Sequence, residues 1–193
     1  MPSREEILRS VYGAWRLARL DPGGMAYFEI SLAAFWRSFA VAFLVAPFYV
    51  ILELLNRPEA AAGLEAPAAA NPSLTLFVAI LKYGVDWVAF PLVMVPLAKL
   101  LGLSATYVAF IIAHNWSATI QVAVLVPAGL AVRSGLVGEG GGMLLMFVTV
   151  ALLFYAWFIA KTALRTSGLT AAGLVAVETL LAIMISLTAG GAA

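Results

Sequence analysis

Residues 74–100, LTLFVAILKYGVDWVAFPLVMVPLAKL, restrict this chain more than any other stretch. An α-helix needs about 20 mostly apolar residues to cross a bilayer, and this run supplies them. It also carries Lys82 and Asp86 one helical turn apart, followed by Pro91 and Pro96, where the helix is expected to break. An ionised side chain at the centre of a membrane helix costs about 2.5–3.5 kcal/mol on insertion scales, so such groups turn toward protein or a water-filled cavity. The other apolar segments must then be partners that make this helix tolerable.

Charged residues make up 11% of the 193 and apolar ones 64%. A soluble domain carries about 25% charged residues, so the chain reads as an all-α membrane protein. Five spans are expected, at residues 35–55, 74–100, 105–132, 143–160 and 169–187. An alanine- and proline-rich loop, 56–73, joins the first two, and Gly102 marks a tight turn between the next two. The first membrane-length run begins too far in for a cleavable signal peptide, so it should stay as a signal anchor. With the N-terminus inside, the inner segments hold Arg4, Arg9, Arg16, Arg19, Arg37, Lys99, Lys161 and Arg165, and the outer loops only Arg57 and Arg133. That bias places the N-terminus in the cytoplasm and, after five spans, the C-terminus in the periplasm. Heavy alanine, glycine and arginine usage suits the inner membrane of a GC-rich bacterium.

The chain divides into a cytoplasmic segment, 1–34, and a transmembrane domain, 35–193. Residues 3–20 predict a short amphipathic helix opened by a Ser3–Glu6 capping box. Ile7, Leu8, Val11, Tyr12 and Trp15 recur at helical spacing on one face, with Arg4, Glu5, Arg9, Arg16 and Arg19 on the other. Such a helix lies in the membrane interface against the lipid bilayer, or packs on a soluble partner. Asp21-Pro22-Gly23-Gly24 ends it with turn chemistry.

Counting about 1.5 Å per residue from each helix end brings several polar groups to one depth, about 15–18 Å in. These are Asp86, His114, Asn115 and Glu178, with Lys82 one turn and Gln121 two turns further out. His114, Ser117 and Gln121 share one face. Two readings are open. In a structural network, Lys82 pairs with Asp86 while His114 or Asn115 satisfies Glu178, fixing which helix faces meet. In a proton or ion pathway, the same acids and histidine relay charge.

Several function classes drop out. A net charge of +1 makes no electrostatic case for nucleic acid. There is no cysteine and only one histidine, so thiolate metal sites, a zinc protease and a well-supported haem are not expected, and no cofactor is. No G-x-S-x-G elbow occurs, and one of the two aspartates lies outside the spans. The chain is expected not to be an enzyme. Gly138–Gly142 lacks the Lys-Ser/Thr of a phosphate loop, and Gly168, Ala172 and Ala176 form a small-residue helix-packing stripe.

The second half carries a resemblance. Residues 105–131, a glycine-containing loop, and then MLLMFVTVALLFYAWFIAKTALRTSGLTAAGLVAVETLLAIMISL are similar to the last three helices of the Yip family, the Ypt/Rab-interacting membrane proteins, including FYAWF before a basic link. The resemblance covers residues 35–187 and implies a cytoplasmic N-terminus, five spans and an external C-terminus. The aspartate- and tyrosine-containing motifs of eukaryotic members are absent, so it implies neither Rab binding nor a functional residue. The expected role is a scaffold, assembly or accessory protein contacting other membrane proteins or itself. The alternative is a small transporter or channel subunit.

Overall fold

The computed structural model describes residues 1–56 and 72–190, all helices and turns with no strand among the described residues. Among the described residues seven α-helices follow in order: α1 (Arg4–Ala18), α2 (Leu32–Ser38), α3 (Val41–Asn56), α4 (Pro72–Leu100), α5 (Tyr107–Arg133), α6 (Gly141–Leu164) and α7 (Gly168–Gly190). Among the described residues five stretches are long and apolar enough to cross a membrane: Leu32–Leu52, Phe77–Leu100, Ser104–Arg133, Gly138–Leu164 and Gly168–Thr188. The protein is therefore an all-α, multi-pass membrane protein with a separate N-terminal helix. The expected 56–73 loop lies, from 57 to 71, outside the described residues.

The centre of the bundle is α5, not the charged helix α4. Some 39% of the third span is buried, against 17–22% of the others. It packs against α1, α2, α3 and α6, whereas α4 leans mainly on α7. Phe110 to Ala113 and Asn115 to Ser117 are buried on consecutive positions, so α5 is enclosed on all sides there. Hydrophobic periodicity cannot reveal such burial, because apolar side chains stand on every side of the helix there.

Proline positions and helix breaks also part company. α4 runs unbroken through Pro91 and Pro96, and Tyr107 donates its hydroxyl to the Pro91 carbonyl at 3.0 Å. The observed break falls at Phe39–Ala40, between α2 and α3, with no proline. There the backbone tightens to three-residue spacing, with Ala40 N–H to Arg37 C=O at 3.0 Å and Ala42 N–H to Phe39 C=O at 3.1 Å. Ser38 Oγ turns back to the Phe35 carbonyl at 2.7 Å, a bond that competes with the helix and bends it. The carbonyl of Ala42, just beyond the break, accepts from the Tyr83 hydroxyl on α4.

The N-terminal segment is packed into the spans. Ala14, Leu17, Phe28 and Ala34 share one continuous core with Phe110, Ile159 and Leu164, and the expected division at 34/35 falls inside α2. Ser3 Oγ caps α1 by accepting from Glu6 N–H at 3.1 Å. The Glu6 carboxylate does not complete the capping box; it takes the Arg37 guanidinium of α2 at 2.9 Å, and Glu29 takes the same group at 2.8 Å. Gly13 and Gly24 let α1 and the following 3-10 turn (Pro22–Tyr27) meet backbone to backbone. A methyl on Gly24 would sit 2.6 Å from the Gly13 carbonyl oxygen.

Candidate functional site

The five residues expected to form one membrane-facing side of α1 divide between two surroundings. Ile7 and Val11 pack against the core, while Leu8, Tyr12 and Trp15 are exposed. The face that enters the bundle is Ser10, Gly13, Ala14 and Leu17, and the buried Tyr155 hydroxyl of α6 donates to the Ala14 carbonyl at 2.8 Å. Small residues at 10, 13 and 14 were the sequence signal for this contact, since small side chains let helices approach closely. Beside them Arg16 donates through Nε to Asp21 at 2.6 Å and through Nη1 to the Tyr27 hydroxyl at 3.1 Å. The guanidinium first, and then the Gly23 N–H, hold the Asp21 carboxyl below the ordinary aspartate range. The Ser31 hydroxyl chiefly, helped by Arg37, does the same for Glu29.

The mid-depth polar residues converge. Asp86 of α4, His114, Asn115 and Gln121 of α5, and Glu178 of α7 all line one open pocket of about 180 Å³. Tyr49 of α3, Tyr83 and Trp87 of α4, and Ala118 complete its wall. Lys82 is not part of the lining. Its Nζ lies 2.9 Å from Asp86 Oδ2 and 3.1 Å from the Tyr49 hydroxyl, with the ammonium 5.5 Å from the Tyr49 ring centre.

Three further polar ties fix the pocket's wall. Asn115 Nδ2 donates to Ser38 Oγ at 2.9 Å, so the break between α2 and α3 is bonded to the middle of α5. Ser117 Oγ donates to the His114 carbonyl at 2.6 Å, and Gln121 Nε2 donates to Ser117 Oγ at 3.1 Å. The His114–Ser117–Gln121 stripe is thus chained along its own helix. His114 Nε2 faces Glu178 Oε1 at 3.6 Å, an ion-pair distance beyond a hydrogen bond. The imidazole also lies against Phe90 and Phe110, at 5.2 and 5.8 Å between ring centres.

Ser38, Tyr49 and Tyr83 were not legible as site residues. Ser38 falls inside the expected 35–55 span with no signal of its own, and its hydroxyl meets Asn115 beside the break. Tyr83 and Trp87 are spaced to share one face of α4, which was the available signal for the aromatic wall. Of the small-residue stripe expected on the last span, Gly168 meets the Trp157 ring and accepts from its indole N–H at 2.8 Å, while Ala172 and Ala176 are exposed. Among the described residues no three His, Cys, Asp or Glu side chains gather closely enough to hold a metal ion. No family model, curated protein or solved structure matches the chain.

Proposed function

We propose that this is a non-enzymatic accessory or assembly protein of a bacterial inner membrane, acting through contacts with other membrane proteins or further copies of itself. The supporting observation is where the deep polar groups are spent. Among the described residues no fully buried side-chain nitrogen or oxygen lacks a hydrogen-bond partner. Those partners tie helix to helix: Asn115 to Ser38, Tyr83 to Ala42, Tyr107 to Pro91, Tyr155 to Ala14. Polar contacts between membrane helices average below about 1 kcal/mol each, yet they select which faces meet. A chain that spends its polar groups this way holds one shape and presents it to partners. The layout shared with the Yip family agrees with this role, and the arginine bias favours a cytoplasmic N-terminus and a periplasmic C-terminus.

The test is purification of the full chain in mild detergent, followed by reconstitution. The expected result is a homo-oligomer of fixed size or a stoichiometric complex with another membrane protein, unchanged by Lys82→Met with Asp86→Asn. The pocket favours a second reading, a small transporter or channel subunit with Asp86, His114 and Glu178 in its path. A lone monomer that passes protons or ions across liposomes, and stops when Lys82 and Asp86 are replaced, would put that reading in place of the first. Reporter fusions at Gly102 and Gly140 should report the cytoplasm and the periplasm respectively.

A further inference from the structure

The pocket between α3, α4, α5 and α7 has a size, a charge and a wall that together specify a ligand. Its size sets the scale: a cavity of about 150 Å³ takes a benzene-sized guest, so about 180 Å³ takes one of similar or slightly larger size.

Its charge is unbalanced. Lys82 neutralises Asp86 at 2.9 Å from outside the pocket lining. Among the described residues the ion-pair partner of Glu178 is His114, at 3.6 Å. With a neutral imidazole, Lys82, Asp86 and Glu178 sum to one negative charge at mid-depth in the membrane, where an uncompensated charge is costly. Both members of the Glu178–His114 pair remain reachable, with 28% and 19% of their side chains exposed. Three aromatic side chains, Tyr49, Tyr83 and Trp87, line the same space. Aromatic faces attract cations, most strongly where water is excluded. A metal ion would want several hard or nitrogen ligands together, and the described residues do not gather them.

We propose that this pocket binds one small organic monocation of the alkylammonium class, its charge set against Glu178 and its alkyl groups against Tyr49, Tyr83 and Trp87. The site goes beyond the accessory role and stands or falls separately from it. Both charges needed for a neutral site are then present: Lys82 against Asp86, and the guest against Glu178.

The probes are choline and its uncharged carbon isostere, 3,3-dimethyl-1-butanol, titrated into the full chain in phosphatidylglycerol nanodiscs and followed by calorimetry. Choline should bind saturably at one site per chain and the isostere should not. Glu178→Gln, which keeps the side chain's shape, should weaken choline about tenfold or more. Trp87→Phe keeps a weaker π-face and should weaken it about twofold to fivefold. Circular dichroism and gel filtration identify any variant that fails to fold, and the isostere comparison on the parent chain needs no variant. Phosphatidylethanolamine in the nanodisc that displaces choline would identify a lipid ammonium headgroup as the source of the same chemistry. Absence of saturable choline binding through the millimolar range, equal binding of the isostere, or a folded Glu178→Gln with parental affinity would each overturn the proposal.

Discussion

The Lys82–Asp86 pair offers the sharpest measurement of what a charged contact inside these spans contributes. Its geometry is short, 2.9 Å, and its side chains are 20% and 27% exposed, which places it between the two known regimes. Exposed pairs contribute about 0.2–1 kcal/mol, and breaking a fully buried pair costs about 3–5 kcal/mol by stranding a charge. Double-mutant cycles between membrane helices average about 0.6 kcal/mol, with a maximum near 1.7. Lys82 also has the Tyr49 hydroxyl at 3.1 Å, so it keeps one acceptor when Asp86 is removed. Asp86→Asn alone should therefore cost about 1–2 kcal/mol, and Lys82→Met alone somewhat more, because it strands a carboxylate. The double variant should fall within about 1 kcal/mol of the parent, so the coupling, the two single costs less the double one, comes to about 2–3 kcal/mol. Reversible unfolding of all four proteins in mixed detergent micelles, followed by far-ultraviolet dichroism, supplies the cycle. A coupling indistinguishable from zero, or a double variant less stable than either single one, would show that the two charges are held by something other than each other.

Gly24→Ala should destabilise the packing of α1 by about 1–3 kcal/mol, because its methyl would stand 2.6 Å from the Gly13 carbonyl and 2.9 Å from Leu17 Cγ; limited proteolysis should then release residues 1–24 faster than in the parent. Asp21 has a folded pKa below its unfolded one, so its contribution is present above the ordinary aspartate value near 3.9 and is lost as pH falls through the lower folded value. Protection of α1 amides from hydrogen exchange should fall over that acid range in the parent and stay level in Asp21→Asn. A chain whose only tryptophan is Trp15 should be quenched by lipids brominated near the headgroup, and one keeping only Trp116 should not, since Trp15 is exposed and Trp116 is 1% exposed.

The spans themselves were legible because a bilayer asks only for length and apolarity. The five stretches match their expected positions to within a few residues, except where Gly138–Leu164 begins earlier and ends later than 143–160. What the pattern could not show was how the helices use their backbones. Pro91 and Pro96 carry the strongest local signal for a break, yet α4 passes through them, while Phe39–Ala40 carries no such signal and breaks. That break coincides with bonds from α5 and α4, Asn115 to Ser38 and Tyr83 to Ala42, which are separated in sequence by 77 and 41 positions. The same holds for α1. Apolar periodicity selected Leu8, Tyr12 and Trp15, which stay outside, and passed over Ser10, Gly13 and Ala14, whose smallness is what fits them against the bundle. Depth counting did gather Asp86, His114 and Glu178, because ionisable groups in a span have few tolerable places to go.

The break and the pocket belong to one construction. Asn115 lines the pocket and is 1% exposed, so its amide must be satisfied within protein. Ser38 satisfies it only because α2 ends there and Ser38 Oγ, having turned to the Phe35 carbonyl, still has a lone pair to accept with. α3 carries Tyr49 to the pocket and to Lys82, and without the Ser38 hydroxyl the Asn115 amide would be stranded at a cost of about 1–3 kcal/mol. The serine hydroxyl thus links an irregular backbone near the start of the first span to the charged groups around the pocket.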